Sequence, residues 1–547
     1  MKITLMALFS VSFFMFIATA AGEAHAGQYV EGQFVNPIGE GADPWVVRDP
    51  DANRYLWCFS DGNRAIAVHT SNSLTSLGKK HIVWEAPASG PYSREVWAPE
   101  LHWIQNRWYI YFAASDGQNR NHLAYVLRSK TKDPLGDYEL HGPLATGAGP
   151  HGRSPNIWAI DMTPLEYKGK LFAIWSGWDE PDSDRQFLYI ASMKSPVELT
   201  GPRVLLCAND EFPWEFTEEN RQGRGLHEGP QVLKHNDRVF MTYSTAASWL
   251  PTYKLGMLEL TGDDPLDPAA WKKFPEPAFQ STANTFGVGH SCFVTSPDRQ
   301  EWWHVFHAKR DRGPGWQRAI FVQPMHFSSD GRPEFGDPVS ANVMLPKPSG
   351  TASIAADLPI SVSLKSTMAL EAWNYYGHHQ FIDFRKDGLH LGSPPNASPV
   401  NDYRSGEKIV LQATPPADLI AAVTINFQGN RKSRDAGLLF RATLPSVGYD
   451  AQRGYFVGLI PGTRLLVAGK TDGTNWTELA RKSVDFDPAE SQRLQVTCYR
   501  DSFVIHHNGE QVLSFIDATY PTGSVGVRVV DSYAIFTDFS LKPNDKP

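Results

Sequence analysis

The sequence predicts an all-β protein of two domains, a five-bladed β-propeller followed by a β-sandwich of the jelly-roll type. Three observations lead to this prediction. A unit made of an ionisable residue, a short apolar strand, a polar turn and an aromatic-rich strand recurs five times. Short strands without that unit fill the C-terminal part of the chain, and no stretch has the length and period of a helix.

The clearest unit is the segment 226–246, which reads LHEGPQVLKHNDRVFMTYSTA. Glu228 opens it, and the Gly-Pro pair that follows bends the backbone next to this carboxylate. A short apolar strand comes next, then a turn that contains Asn-Asp, and then a run rich in β-forming residues. The segment therefore predicts a carboxylate placed at the start of a β-hairpin.

The five units follow one another at intervals of roughly 55 to 70 residues, and a further strand follows each. Their first residues are Asp43, Glu100, Asp161, Glu228 and His290. A period of this size with several antiparallel strands indicates propeller blades, so we expect the five openers at one mouth of a central funnel. The alternative is a strand-rich protein with acids in its loops, which does not explain why the acids recur at one phase.

The N-terminal residues 1–26 have the form of a secretory signal peptide, with Lys2, a long apolar run and an Ala-His-Ala site. An uncleaved anchor is the alternative, but the small residues favour cleavage. We therefore expect a secreted protein, extracellular or periplasmic, with no attachment to a membrane after cleavage.

The remaining chain divides at a segment rich in Pro and small residues. We assign residues 27–345 to the propeller, 346–360 to a linker and 361–547 to the β-sandwich. The lead-in 27–37 is expected to contribute a strand that closes the ring. The sandwich either binds carbohydrate or only packs on the propeller, and its sequence carries no catalytic set.

Composition narrows the class of partner. The net charge is −8, from 51 basic and 59 acidic residues, without a basic tract, which argues against nucleic acid as a partner. Aromatic residues make up 12% of the chain, a fraction that suits strands and also leaves stacking on sugar rings open. We expect a monomer.

The cysteines Cys58, Cys207, Cys292 and Cys498 have no zinc-binding spacing. Cys58 and Cys292 fall in the first and fifth units, which become neighbours when the ring closes. A disulfide between them is one option, and two buried thiols are the favoured one.

The acids at the funnel suit hydrolysis of a glycosidic bond, which needs one protonated and one ionised carboxyl group. Crowded like charges raise the pKa of one carboxyl group, which then serves as the acid. Glu228 is our general acid because it has the longer side chain, Asp43 our base, and Asp161 the third carboxylate, which holds the acid in place. Each acid alone is more often a turn residue, but together at one phase they indicate catalysis.

His290 opens the fifth unit and should also face the axis. It is either a core histidine or a group that fixes an ion or water at the floor of the site. No cluster with zinc-like spacing accompanies it, so an ion there would be a hard, largely water-ligated one such as calcium. No organic cofactor is expected.

Several motifs resemble glycoside hydrolase family 43, and the match covers most of residues 41–345 in order. They are GADPWV, VWAPELH, AIDMTPLEYKGKLFAIWSGW, LHEGPQVL and GVGHSCF. The resemblance implies a five-bladed β-propeller and an enzyme that inverts the anomeric configuration. It matches Asp43 to the general base, Glu228 to the general acid and Asp161 to the residue that orients the acid and modulates its proton affinity.

The same resemblance implies further roles. His290 matches a histidine near a central calcium ion, and Trp97 and Glu100 lie in the WAPE motif, where we expect substrate positioning or, for Glu100, a structural role. Arg318 matches a recurring arginine that holds a sugar hydroxyl or pairs with a carboxylate.

The wording IDMTPL, LHEGPQVL and YSTAASWLPTYKLGMLEL looks most like the exo-acting α-L-arabinofuranosidases, with arabinan or another plant cell-wall polysaccharide or oligosaccharide as substrate. A β-xylosidase or an endo-arabinanase of the same family is the first alternative. A non-catalytic carbohydrate-binding propeller is an alternative of another class, against which the three intact acids argue.

The C-terminal stretches AGLLFRA, GYFVGLIPGTRLLVAGKTDG and FVIHHNGEQVL resemble the concanavalin-like and laminin-G-like sandwiches appended to such enzymes. Because some of those sandwiches bind fructose-terminated glycans, a fructan hydrolase is a further idea. Fructan hydrolases are retaining, and the sequence around their nucleophile differs from GADPWV.

Overall fold

The described part of the chain forms five blade sheets, a two-stranded sheet and two large sheets, as seen in a computed structural model. The structure describes residues 32–147, 156–216, 225–352, 360–362, 364, 372–394, 406–429 and 435–545. The predicted signal peptide at 1–26 lies outside these residues. The all-β prediction of a five-bladed propeller followed by a β-sandwich is confirmed.

Each blade is an antiparallel sheet. Blades 1 to 4 have four strands each, which lie side by side in chain order. The strands of blade 1 are Trp45–Arg48, Tyr55–Asp61, Ala65–Ser71 and Lys79–Glu85; those of blade 2 are Arg94–Ile104, Arg107–Ser115, Leu123–Ser129 and Tyr138–His141. Blade 3 has Ala159–Tyr167, Lys170–Trp178, Gln186–Ser195 and Glu198–Cys207, and blade 4 has Leu226–His235, Arg238–Ala246, Lys254–Leu260 and Trp271–Lys273. Blade 5 has Gly289–Thr295, Trp302–Lys309, Arg318–Phe327 and the short strand Pro333–Glu334.

Blade 5 is completed by the N-terminal strand Gly39–Glu40, which pairs with its third strand. The lead-in that we expected to close the ring lies just before this strand, and its own strand, Gln33–Val35, pairs instead with Met344–Pro346. Asn36 still contributes to closure, since its buried amide donates to Val322 O at 2.8 Å and accepts from Val322 N at 3.0 Å. Ring closure therefore joins residues near 40 to residues near 320.

The aromatic-rich second strands pack between neighbouring blades. Four blades carry a tryptophan there that is at most 1% exposed, namely Trp57, Trp108, Trp175 and Trp303. Blade 4 carries the fully buried Tyr243 in its second strand instead. Such residues favour strands and fill the space between sheets, which explains why the aromatic strand recurs in the sequence.

All four cysteines are buried free thiols. Cys58 and Cys292 do lie on adjacent blades, but the Cys292 thiol donates to the carbonyl oxygen of Val46 at 3.2 Å. The favoured expectation of buried thiols at this position is confirmed.

The C-terminal domain consists of two facing antiparallel sheets. The first has the order Ile382–Arg385, Gly388–Leu391, Ala534–Pro543, Leu419–Phe427, Gln492–Tyr499, Ser502–His507 and Glu510–Ile516, with Ile360–Val362 also paired to Ala534–Pro543. The second has the order Trp373–Tyr376, Lys408–Leu411, Ser524–Val530, Asp435–Thr443, Arg453–Ile460, Leu465–Asp472 and Trp476–Ser483. Their inner faces form a core that includes Phe440, Tyr455, Phe503, Val527 and Phe536.

The sandwich docks on the seam of the propeller. The Tyr375 hydroxyl lies 2.6 Å from Nδ1 of His69 in blade 1, and the Ser446 hydroxyl donates to Pro37 O at 2.8 Å. Both contacts are buried, and one hydrophobic cluster runs through both domains. The two domains therefore share a packed interface.

Helical structure in the part of the chain that the structure describes is limited to short 3₁₀ turns at Asn119–Asn121, Pro213–Glu215, Pro268–Ala270 and His379–Phe381. None of these is long or apolar enough to cross a membrane.

Candidate active site

A left-handed backbone residue stands at the axial end of every blade. In blades 2 to 5 it is the first residue of a bulge in the innermost strand, where the pairing register shifts. A bulge bends a strand and changes the direction of its side chains. The φ angles are 50° at Asp43, 41° at Ala98, 51° at Asp161, 53° at Gly229 and 49° at His290.

The bulges show that the first residues of the five units do not all occupy the same position of the repeat. Asp43, Asp161 and His290 do occupy the same position of the repeat, and Asp and His are among the residues that tolerate a positive φ. Glu228 comes one residue before the bulge glycine of blade 4, and Glu100 comes two residues after Ala98. The spacing in the sequence does not show the bulges, so the predicted common position is correct for three of the five residues and wrong for Glu228 and Glu100.

The glycine in blade 4 has a steric reason. A Cβ at Gly229 would lie 3.1 Å from Nδ1 of His290, so a larger residue would press on the imidazole ring. The backbone of blade 4 therefore approaches the His290 ring closely, and the preceding residue, Glu228, supplies the carboxylate of this blade.

Asp43 is surrounded by nitrogen atoms from blade 5. Its Oδ1 lies 3.3 Å from Nδ1 of His290, 3.3 Å from Nδ1 of His307 and 3.4 Å from Nη1 of Arg318. The backbone N–H of Asp43 donates to Nδ1 of His307 at 3.1 Å, which makes that nitrogen an acceptor. The Asp43 side chain remains 27% exposed, so its carboxylate can reach a water molecule in the funnel.

These neighbours determine the charge of Asp43. Burial alone would raise its pKa, but the positive charges of Arg318 and His290 outweigh burial and hold the pKa of Asp43 well below its usual value. Burial lowers the pKa of His307 to about 3, so this histidine is neutral. Asp43 is therefore an ionised carboxylate even in mildly acidic solution.

Asp161 has the same backbone position but the opposite electrostatic surroundings. It is 4% exposed, and its Oδ2 accepts a hydrogen bond from Gly229 N at 2.9 Å. Burial raises the pKa of Asp161 and the charge of His290 lowers it, but burial together with the charges of Glu228 and Asp43 prevails and brings the pKa to about 7. The carboxyl group of Asp161 therefore keeps its proton up to near neutral pH.

Glu228 is fixed by two donors. The Tyr253 hydroxyl donates to its Oε1 at 2.8 Å, and Gln186 Nε2 donates to its Oε2 at 3.2 Å. Burial raises the pKa of Tyr253 well above its usual value, so the phenol keeps its proton. The Tyr253 ring also stacks on His307, with centroids 5.6 Å apart, and so connects the surroundings of Glu228 with those of Asp43.

Glu100 lies at the axis but has both oxygens engaged. Its Oε2 lies 2.9 Å from Nε2 of His102, and its Oε1 accepts from the Gln231 amide of blade 4. It is 1% exposed. The contact joins the innermost strands of blades 2 and 4, so the arrangement suits a structural role for Glu100.

Trp97 and Arg318 occupy different parts of the site. Trp97 is half-buried and stacks on His122 with centroids 3.7 Å apart, beside the aromatic cluster of blades 2 and 3. Arg318 touches Asp43 and lies 5.3 Å from the ring centroid of Trp316, which is 57% exposed. The structure therefore brings Arg318, but not Trp97, into contact with a predicted catalytic acid.

The predicted calcium site was tested against the residues around His290. Across the described residues, no group of three or more His, Cys, Asp or Glu side chains could hold a metal ion. Burial lowers the pKa of His290, but Asp43, Asp161 and further carboxylates outweigh burial and raise it. A protonated imidazole has no lone pair for a metal. A water-ligated calcium ion at the axis stays a prediction, and no step below depends on it.

A buried ionic network supports the strand that carries Glu228. Glu215 is fully buried, and its Oε1 lies 2.8 Å from Nε2 of His227, accepts from the Tyr243 hydroxyl at 2.8 Å and lies 2.7 Å from Lys273 Nζ. His227 directly precedes Glu228. The network therefore fixes the backbone at the position from which the carboxylate projects.

Sequence reasoning did not single out Glu215, Tyr253, Gln186 or His307. None of the four repeats at a fixed position of the units, and Glu215 lies in a loop. Strand pairing reveals His307, which stands on the second strand of blade 5 opposite Gly289 and next to the opener His290.

An ionised carboxylate and a protonated carboxyl group, placed in one funnel, are what cleavage of a glycosidic bond requires. Comparison with known families assigns the chain to that class of enzyme, the glycoside hydrolases. The family described as "Glycosyl hydrolases family 43" matches residues 34–333, and the chain belongs to this family, whose members invert the anomeric configuration.

Several characterised relatives are arabinofuranosidases by name. The chain is 30% identical over 302 residues to the extracellular exo-alpha-(1->5)-L-arabinofuranosidase of Streptomyces chartreusis, across 54% of this chain and 88% of the relative. It is 30% identical over 337 residues to alpha-L-arabinofuranosidase 43 of Humicola insolens, across 59% of this chain and 66% of the relative. The crystal structure of the alpha-L-arabinofuranosidase from Lactobacillus brevis matches with a TM-score of 0.51 and 31% identity, over 57% of this chain and 98% of that one.

The Glu215 network yields a prediction on stability. The variant Glu215→Ala leaves Lys273 and His227 buried without their carboxylate, and loss of one partner from a buried pair costs about 3–5 kcal/mol. We expect a marked fall in the unfolding midpoint of the propeller in urea at pH 7.

The matched control is Glu211→Ala, because Glu211 contacts the same lysine at 3.3 Å but is 56% exposed. Its loss should cost below about 1 kcal/mol. The pKa of Glu215 is lowered to about 2, because His227 and Lys273 outweigh burial. The stabilisation is therefore present above the ordinary value of 4.5 and is lost as pH falls towards 2. Equal midpoints for the two variants at pH 7 would contradict the network's role.

Proposed function

We propose that the protein is a secreted, exo-acting α-L-arabinofuranosidase that releases arabinose from arabinan or arabino-oligosaccharides with inversion. The observation that carries the proposal is the split in charge within the funnel: blade 5 holds Asp43 ionised, while burial and the neighbouring carboxylates keep Asp161 protonated. The names of the relatives support arabinose as the sugar, and the extracellular relatives together with the N-terminal sequence support secretion.

Asp43 acts as the general base. Its carboxylate is ionised, faces the funnel and can accept a proton from a water molecule placed beneath the anomeric carbon. Arg318 and His290 hold the carboxylate in position. Arg318 also has a buried Nε without a partner, so a sugar hydroxyl that accepts from this guanidinium would satisfy it.

Glu228 acts as the general acid and delivers its proton to the leaving oxygen. The Tyr253 hydroxyl and the Gln186 amide fix the two oxygens of its carboxyl group. A hydroxyl can accept as well as donate, so the Tyr253 contact persists when Glu228 is protonated. Asp161 orients the acid in this proposal, since its Oδ2 accepts from Gly229 N, which directly follows Glu228 in the chain.

The other predicted site residues have supporting roles in this proposal. Glu100 joins the innermost strands of blades 2 and 4 at the axis, through its contacts with His102 and Gln231. Trp97 forms part of the aromatic wall of blade 2, where a sugar ring could contact its indole. His290 holds Asp43, and a calcium ion at the axis remains a prediction to be checked by metal analysis.

The first test is proton NMR of the reaction with α-1,5-arabinobiose, arabinoxylan, xylo-oligosaccharides and a fructan. We expect arabinose to be released from arabinobiose and to appear first as the β-anomer, because single-step displacement inverts the α-linkage. Xylose would assign the enzyme to the xylosidases with the same acids. The α-anomer as first product, or no release from any of these substrates, would refute the proposal.

Two variants separate the roles of base and acid. Asp43→Asn should lower kcat/KM by about 100- to 10,000-fold on both arabinobiose and 4-nitrophenyl α-L-arabinofuranoside, because both need activated water. Glu228→Gln should cost as much on arabinobiose but much less on the nitrophenyl substrate, whose acidic phenol leaves without protonation.

The matched controls are Asp137→Asn and Glu276→Gln, which change exposed carboxylates of the same domain. They should retain the activity of the parent protein. A Glu228→Gln variant that is equally slow on both substrates would rule out its role as the acid.

The pH profile tests the split in charge. The pKa of Asp43 lies below the ordinary value of 3.8, so kcat/KM should stay high down to about that pH. The pKa of Asp161 is raised to about 7, so kcat/KM should fall above pH 7 as Asp161 loses its proton. In Asp161→Asn, this alkaline limb near pH 7 should disappear, because the group that titrates there is absent. An unmoved limb would show that Asp161 does not retain the proton.

A further inference from the structure

The second sheet of the β-sandwich has an outer face that is only half covered. Lys408 is fully buried on this face, and its ammonium donates to Gly448 O at 2.6 Å and Ala451 O at 3.3 Å. These bonds fasten the loop 446–452 over one half of the face. The other half forms an open groove of about 770 Å³.

Two aromatic side chains line the floor of the groove, and glycines make room for them. A Cβ at Gly469 would lie 2.5 Å from the Trp476 indole, and one at Gly458 would lie 2.6 Å from the Phe456 ring. Both rings therefore rest against the backbone of the sheet. They are 6.3 Å apart at 71°, and Trp476 is only half-buried, so part of its indole faces the groove.

A buried arginine between two carboxylates forms the polar wall. Arg528 is 3% exposed, its Cζ lies 3.7 Å from the centroid of Phe456, and its Nη1 donates to Tyr449 O at 2.7 Å. Asp450 and Asp435 lie 3.4 and 3.5 Å from its guanidinium. Its Nε is buried and has no hydrogen-bond partner. A buried donor without a partner is costly, so this one points to a ligand that accepts from it.

The charges of this wall favour an uncharged ligand. One guanidinium faces two carboxylates, so an anion would find no net positive charge. Asp450 and Asp435 contact the guanidinium only at the limit of hydrogen-bond distance, so a hydroxyl group beside them can accept from the guanidinium and donate to a carboxylate. A ring beside such hydroxyls would lie against Trp476, as sugars lie against aromatic side chains.

We propose that this groove binds a neutral glycan, with Trp476 contacting the sugar ring and Arg528, Asp435 and Asp450 contacting vicinal hydroxyls. The site is separate from the catalytic funnel and makes no use of its acids. It shares Tyr449, Asp450 and Thr474 with a cavity of about 290 Å³ between the sandwich and blade 5. A glycan held here would keep the propeller close to a polymeric substrate.

The test is native gel electrophoresis of the full chain carrying Glu228→Gln, in gels with linear arabinan, with arabinoxylan, with anionic polygalacturonate or with no polysaccharide. We expect retardation in at least one of the two neutral gels and none in polygalacturonate. Adding Trp476→Ala should raise the apparent Kd about tenfold, which corresponds to about 1.4 kcal/mol, while Trp476→Phe should retain most of the affinity.

Further variants distinguish a loss of glycan binding from misfolding and from a loss of catalysis. Tyr449→Ala removes a 41% exposed side chain of the groove but leaves its backbone contact with Arg528, and it should also weaken retardation. Ile516→Ala changes a 74% exposed residue of the other sheet and should have no effect. With Glu228 intact, the Trp476 and Tyr449 variants should cleave arabinobiose like the parent protein.

The assay measures binding without hydrolysis, so its result stands even where the proposed activity fails. The proposal is overturned by three results: no retardation in either neutral gel, retardation only by polygalacturonate, or full retardation of both the Trp476→Ala and Tyr449→Ala variants.

Discussion

Closure of the propeller ring is the constraint on which the site depends. The two-residue strand Gly39–Glu40 completes blade 5, and the buried amide of Asn36 adds two hydrogen bonds to Val322 of the same blade. Asp43 follows this strand by three residues, so closure places its carboxylate against side chains that lie about 250 to 275 residues later in the chain. The sandwich docks beside the same segment, through Ser446 and Pro37.

The site shows how one backbone position can produce two protonation states. Asp43 and Asp161 both have a left-handed backbone at the axial end of a blade, and burial raises the pKa of each. Asp43 faces Arg318 and His290, whose positive charges favour the carboxylate. Asp161 faces Glu228 and Asp43, whose negative charges favour the protonated form. The neighbouring blade, rather than the residue type, decides which carboxyl group is ionised.

The sequence by itself was sufficient for the fold class, and it singled out the candidate acids that the structure places near one another. The recurring aromatic strand predicted the blades, because residues such as Trp57 and Trp175 must fill the space between sheets wherever a blade recurs. The lack of helical periodicity and the short C-terminal strands predicted the sandwich. The same repeat, together with the motifs around Asp43, Asp161 and Glu228, predicted that the three carboxylates lie at one axis.

Only the tertiary structure decided the details of the site. The bulges shift Glu228 and Glu100 out of the common phase, and a bulge depends on how two strands pair rather than on one strand's sequence. Tyr253, Gln186 and His307 reach the acids from other strands and leave no repeating signal. The pKa values of Asp43 and Asp161 differ because of charges that arrive from distant segments. Sequence patterns record the period of the fold, whereas contacts across it exist only once the ring has closed.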